Sequence, residues 1–186
     1  NTVVTITDDA YTLKEADTGL LAIILAVAPN KVILEKAAST PIEGSAADLK
    51  TMLAGVSSYT GALKATDASI SAAQLNTIAA GTTGKVTATL VDTTIDAALV
   101  AALKDVKATD AITFKTTDTA LDGNAEINAL ISLNKILPKA DWSDIVTIEG
   151  TANDVSIIKQ ALAIAKNPLL EVTIDPTTII SAADAN

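Results

Sequence analysis

Carboxylates and threonine hydroxyls are the side chains of this sequence whose types and spacing could do chemistry. Single aspartates follow five of its strand-like stretches: Asp8, Asp67, Asp92, Asp118 and Asp175. Because calcium binds clusters of hard oxygen ligands, repeated aspartates in turns could hold it. An aspartate in a turn can instead accept hydrogen bonds from nearby backbone amides, and this is the interpretation that we favour for the row.

Two places hold carboxylates close together in sequence. Asp8 is adjacent to Asp9, and Asp141 and Asp144 flank Trp142 in the stretch LPKADWSD. These four aspartates are the candidate metal ligands. Calcium is the one cofactor that they could hold, and we otherwise expect the protein to need none.

The residue types that most catalytic mechanisms need are missing. The chain contains no Cys, no His and no Arg, and Lys supplies all 13 basic residues. Without Cys or His no nucleophile–base pair can be assembled, and no Gly-rich phosphate loop is present. The 22 acidic residues give a net charge of −9, which argues against a basic surface for nucleic acid. We therefore expect neither an enzyme nor a nucleic-acid-binding protein.

These side chains belong to a pattern that recurs along the chain. Residues 85–105 read KVTATLVDTTIDAALVAALKD, which alternates apolar and polar residues up to Leu90 and has helical spacing from Ile95. Similar strand-like triplets, 23 to 34 residues apart, begin at seven positions: Val4, Val32, Leu63, Val86, Ile112, Val146 and Val172. Such self-similarity predicts a repeat protein.

A short helix is predicted after most of these strands. The helical segments begin with Ser, Asp or Asn, which can accept hydrogen bonds from the free amides of a first helical turn. They span residues 45–56, 71–81, 96–106, 124–137 and 153–166. Ser71 and Gln74 have the spacing of a capping box.

The predicted fold follows from how strands and helices alternate. Strands joined through helices run parallel, and helices on both faces of the sheet would require continuously apolar strands, whereas these strands alternate. We therefore predict an α/β fold, an open one-sided parallel β/α solenoid of about six to seven strand–helix repeats with the helices on one face of the sheet. Residues 1–186 are expected to form a single repeat array, either a segment of a longer chain or a self-assembling unit.

The other face of the sheet is the candidate interaction face. Its expected members are Thr5, Thr87, Thr89, Thr113, Thr147, Thr173 and the lone tryptophan, Trp142. Threonine also favours solvated strand surfaces without any function, and a lone Trp can plug the end of a hydrophobic layer instead of anchoring an interface or stacking on a sugar. The functional alternatives are a contact face for another chain or a glycan and, more remotely, an ice-binding face.

The amino-acid composition indicates the cellular location of the protein. Hydrophobic residues make up 49% of the chain but aromatic residues only 2%, so the core must consist of thin layers of Ala, Ile, Leu and Val. No apolar run reaches the roughly 18 residues of a membrane-spanning helix, so no membrane span is predicted. An acidic, cysteine-free chain rich in Thr and Ala is typical of secreted bacterial surface proteins, and we expect an extracellular or cell-surface location.

Residues 66–89, TDASISAAQLNTIAAGTTGKVTAT, and residues 91–114, VDTTIDAALVAALKDVKATDAITF, carry a family resemblance. They resemble the Thr/Ala/Asp-rich repeats of large secreted bacterial surface proteins, cyanobacterial ones among them, of the S-layer or adhesin type. The resemblance implies an extracellular structural or adhesive role without catalysis.

Two functions are expected from these observations. The first is a non-catalytic structural protein of a surface layer, sheath or filament that assembles through open sheet edges, as a homo-oligomer or with neighbouring repeats of the same chain. The alternative is an adhesion module whose threonine-rich sheet face binds a glycan or another surface.

Overall fold

The computed structural model describes residues 4–6, 32–34, 41–56, 59–92, 94–151 and 155–175. The elements in these ranges are, in chain order, β1 (Val4–Ile6), β2 (Val32–Leu34), β3 (Ile42–Gly44), α1 (Ala46–Gly55), β4 (Leu63–Ala65), α2 (Ala72–Ala80), β5 (Val86–Asp92), α3 (Ala97–Ala102), β6 (Ala111–Thr116), β7 (Ala120–Asp122), α4 (Asn124–Ile136), β8 (Thr147–Thr151), α5 (Val155–Ala165) and β9 (Glu171–Asp175). The predicted α/β class is therefore confirmed.

The strands form three sheets, with the orders β1-β2, β3-β4-β5-β6 and β7-β8-β9. The pairs β1/β2, β3/β4, β4/β5, β7/β8 and β8/β9 are all parallel. Among the described strands no sheet closes into a barrel. The parallel sheets that the alternation of strands and helices predicts are thus present.

All five predicted helices are present, and their caps explain where three of them begin. Ser71 Oγ accepts the Gln74 amide at 3.3 Å while Gln74 Oε1 accepts the Ser71 amide at 2.9 Å, which completes the predicted capping box of α2. Asp96 Oδ1 accepts the Leu99 amide at 2.7 Å, and Ser45 caps α1 in the same way.

Helix α4 begins differently from the prediction. Asn124 is the first helical residue of α4 and not its cap. The cap position is occupied by Gly123, so no side chain accepts a hydrogen bond from the first helical turn. Gly123 has φ 110°, a left-handed conformation that glycine adopts without the steric cost of a Cβ.

The seven predicted strands are found as β1, β2, β4, β5, β6, β8 and β9, and two further strands were missed. Both missed strands, β3 with the sequence IEG and β7 with the sequence ALD, lack the Val-Thr-Ile-like triplet by which the other strands are recognised. Pairing makes them strands, since Ile42 lies beside Leu63 and Leu121 lies beside Ile148 in register.

The chain forms two compact units. Unit 1 contains the described residues up to Leu90 together with Asp105–Ile112, and unit 2 contains Val91–Lys104 and the described residues from Thr113 onward. In unit 1, α1 packs against α2 and against β3 and β4. Val86, Ala88 and Leu90 of β5 are buried while the threonines between them are half-buried, as the alternation predicts.

The core of unit 2 surrounds α4, which packs on α3, α5, β7 and β8. Ile127, Leu130 and Leu133 of this helix are fully buried. Gly150 of β8 leaves the space that Ile158 of α5 fills, because a Cβ at Gly150 would lie 2.7 Å from the Ile158 Cδ1 atom. A small residue in the strand thus sets how closely the helix approaches the sheet.

The predicted inward face holds for Ile148 of β8, which is fully buried, but not for Val146 just before β8 or for Val172 and Ile174 of β9. Val146 precedes β8 and is 42% exposed, and Val172 and Ile174 of β9 are 37% and 41% exposed. Helix α5 packs on β8, so among the described elements the apolar side chains of β9 are left in contact with solvent.

Candidate functional site

An open groove of about 530 Å³ in unit 2 is the best candidate site. Its lining consists of Val91, Thr113, Phe114, Lys115, Thr116, Thr117, Asp141 and Asp144. Three residues that the sequence had singled out, Thr113, Asp141 and Asp144, therefore lie around one groove. We refer to it as the β6 groove.

Strand β6 supplies one wall of the β6 groove. Its side chains alternate, so Ile112 and Phe114 are buried while Thr113 and Lys115 are exposed. Residues two apart in a strand point to the same face, which puts the Thr113 hydroxyl and the Lys115 ammonium on the same side.

The loop between α4 and β8 supplies the opposing carboxylates. Trp142 and Ile145 point inward and are 3% and 0% exposed, whereas Asp141 and Asp144 are exposed. The Ile145 amide donates to the Trp142 carbonyl at 3.2 Å, which closes a turn between the two buried residues. The two apolar anchors thereby fix which way the carboxylates face.

Two asparagines hold this loop in place. Asn167 Nδ2 donates to the Ser143 carbonyl at 2.8 Å and to the Ile145 carbonyl at 2.9 Å. Asn134 Oδ1 accepts the indole N–H of Trp142 at 3.2 Å. The backbone that carries the two aspartates is therefore tied both to α4 and to the segment before β9.

Trp142 lies beneath the surface and not on it. Its ring packs against Phe114, with ring centroids 5.0 Å apart and planes inclined at 46°, a favourable tilted geometry for aromatic pairs. At 3% exposure the indole offers almost no face to a ligand. The structure thus places Trp142 as a plug that joins the loop to β6.

The polar side chains of the β6 groove differ in whether they have hydrogen-bond partners. The backbone N–H and the hydroxyl of Ser143 hold the pKa of Asp141 below its usual value, so this side chain is a carboxylate at neutral pH. The Thr116 hydroxyl accepts the Asp118 amide at 2.9 Å. For Thr113, Lys115, Thr117 and Asp144 the described part of the chain provides no side-chain hydrogen-bond partner or ion pair.

The predicted metal ligands are not gathered into one cluster of carboxylates. Asp141 and Asp144 share the β6 groove, but no third His, Cys, Asp or Glu joins them among the described residues. Calcium takes six to eight oxygen ligands, so two carboxylates alone would have to be completed by water or backbone carbonyls. Asp8 and Asp9 lie outside the described residues.

The row of single aspartates contacts backbone amides. Asp67 accepts the Ala46 amide at 2.6 Å, and Asp118 accepts the Ile95 amide at 2.8 Å. Asp92 accepts the nearby Thr94 amide at 3.4 Å. Asp67 and Asp118 therefore link successive strand–helix segments, 21 and 23 residues apart in sequence. Asp8 and the side chain of Asp175 lie outside the described residues.

The threonines of the candidate interaction face do not all form one row. Thr87 lies beside Lys64 in register, as predicted. In unit 2 Thr147 lies beside Glu171, and Thr173 lies beside Glu149, so these two threonines are two residues out of step. The similar Val-Thr-Ile triplets at β8 and β9 do not determine how the two strands align, because backbone pairing sets the register. The side chain of Thr5 is not described.

Several groove residues were missed as site residues. Lys115 lies two residues after Thr113, and strand alternation predicts it on the same outward face, but it was not among the predicted site residues. Val91, Phe114, Thr116 and Thr117 join the groove only because the Asp141–Asp144 loop packs against this part of the chain. No pattern in the sequence indicates that contact.

No family model, no curated protein and no solved structure matches this chain. None of the described helices is long and apolar enough to cross a membrane.

Proposed function

We propose that this protein is a non-catalytic structural repeat protein of the cell exterior, a segment of an open one-sided β/α solenoid that assembles through its sheet edges. The observation that carries the proposal is β9. This strand pairs with β8 over five residues, has no second strand neighbour among the described residues, and exposes Val172 and Ile174.

An exposed edge strand with apolar side chains is a template for pairing with another strand. Natural monomers usually protect such an edge with charged side chains, Pro or a bulge. Strand β9, with the sequence EVTID, has its two charged residues, Glu171 and Asp175, at its ends and has no charge or Pro at its three central positions. Leu169, 83% exposed just before β9, extends the apolar surface. A further strand–helix unit beside β9 would pair with its free edge through the strand and could cover these side chains with the helix.

Repeated backbone links support stacking of equivalent units. The Asp67–Ala46 and Asp118–Ile95 hydrogen bonds each join the end of one strand to the start of the preceding helix-containing segment. Because each unit contacts mainly its neighbours in a solenoid, the same links could be reused in a longer array. The extracellular setting is supported by the acidic, cysteine-free composition and by the resemblance to surface-protein repeats.

The proposal can be tested by introducing a charged residue into the exposed strand β9. Val172→Lys places an ammonium on β9 and should shift the sedimentation-velocity distribution from large species toward the 18.9 kDa monomer. The matched control Ser156→Lys adds the same charge on the exposed side of α5 and should leave the distribution unchanged. Equal behaviour of the two variants and the parent protein would contradict assembly through β9.

A further inference from the structure

We propose that the β6 groove is a carbohydrate-binding site, independent of any assembly through β9. The groove has about 530 Å³, within the roughly 300–1,000 Å³ of small-ligand pockets. Its polar groups of both signs lie beside Val91, which is the exposed apolar side chain of the lining, since Phe114 is only 4% exposed.

The hydrogen-bonding inventory of the groove is mixed. Asp144 and Asp141 can only accept, Lys115 can only donate, and the Thr113 and Thr117 hydroxyls can do both. A sugar hydroxyl both donates and accepts, so neighbouring hydroxyls on one ring could use the carboxylates and the ammonium at once. The C–H face of the same ring would cover Val91, which is 39% exposed.

Other ligand classes fit the same groups less well. A phosphate or nucleotide would be repelled by two carboxylates and attracted by only one Lys. A purely apolar ligand would remove water from the charged groups without replacing their hydrogen bonds, which is unfavourable. A cation would find only two carboxylates in the groove. An uncharged polyhydroxylated ring is the class that uses both the charged groups and the exposed apolar surface of Val91.

The groove is held in shape before any ligand arrives. The Phe114–Trp142 contact, the hydrogen bond from the Trp142 indole to Asn134 and the two hydrogen bonds from Asn167 fix the loop that carries the carboxylates. A preorganised site avoids the entropy cost of ordering side chains and loops on binding. Trp142, the only Trp in the chain, lies directly beneath the groove and so serves as an internal reporter.

The experiment is a titration of the full chain followed by Trp142 fluorescence and by amide chemical shifts. The probes are maltotriose, cellotriose and N,N′,N″-triacetylchitotriose, which differ in linkage and in N-acetyl substitution, and Ca²⁺ alone. We expect saturable changes with at least one trisaccharide, centred on residues of the β6 groove. Asp144→Asn and Lys115→Met should each weaken that binding about tenfold, the loss expected when a hydrogen bond to a charged group is removed.

The control variants make the same two types of substitution at positions outside the groove. Asp122→Asn and Lys139→Met alter exposed side chains of unit 2 that do not line it, and binding should be unchanged. No saturable change with any of the three trisaccharides would overturn the proposal. Equal weakening by groove and control variants, or saturation by Ca²⁺ alone with no effect of sugar, would overturn it as well.

Discussion

Among single residues, we expect buried polar groups to contribute more to the stability of the protein than the threonines on the surface. Asp110 is only 4% exposed, and its carboxylate accepts the amides of Val86 at 2.8 Å and Lys107 at 2.9 Å. Lys107 Nζ in turn donates to the carbonyls of Thr82 and Gly84, both at 2.8 Å. This network ties the segment before β6 to the start of β5 within unit 1.

Asp110→Ala should therefore destabilise the protein by about 2 to 3 kcal/mol, because it leaves two backbone donors without an acceptor. Asp110→Asn retains one acceptor oxygen and should lose less. Urea unfolding measures both, with the exposed Asp122→Ala expected to stay within about 0.5 kcal/mol of the parent. A loss at Asp110 no larger than that of Asp122→Ala would show that the network contributes nothing to stability.

The site could be predicted only in part, for a physical reason visible at these residues. Asp141, Asp144 and Trp142 attract attention because they share a short loop, and Thr113 because it lies on an alternating strand. Their meeting depends on Phe114 packing against Trp142 at 5.0 Å, a contact 28 residues apart in sequence. Local pattern does not specify such a contact, so the groove itself could not be foreseen.

At the scale of elements, local signals predict helices better than strands. Helix starts are encoded within four residues, as in Ser71 and Gln74, and all five helices could be located from caps and spacing. Strands β3 and β7 depend on a partner strand, and the offset of Thr147 from Thr173 depends on register. Pairing between distant segments decides both, which is why the sequence pattern missed them.

The cap of α2 gives the element-scale prediction. Ser71→Ala removes the hydroxyl that accepts the Gln74 amide and should cost about 1 kcal/mol of unfolding free energy. Ser69→Ala, an exposed serine outside any helix, is the matched control and should cost almost nothing. Thermal and urea unfolding of the pair would decide this, and equal losses would mean that the capping box does not stabilise α2.

At the scale of the whole molecule, charge and sheet edges act in opposite directions. A net charge of −9 keeps copies apart at low salt, while the apolar edge of β9 favours a new strand partner. At about 0.15 M salt the Debye length falls to roughly 8 Å, so repulsion between distant carboxylates is largely screened. Assembly should therefore be stronger at physiological salt than in dilute buffer.

The most direct test of the central claim is the molar mass of the full chain by light scattering, over a concentration series at physiological salt, with and without Ca²⁺. If copies assemble through the edge of β9, the mass should rise above 18.9 kDa and keep growing with concentration, without a plateau at a closed oligomer. A constant mass of one chain at every concentration would contradict such assembly.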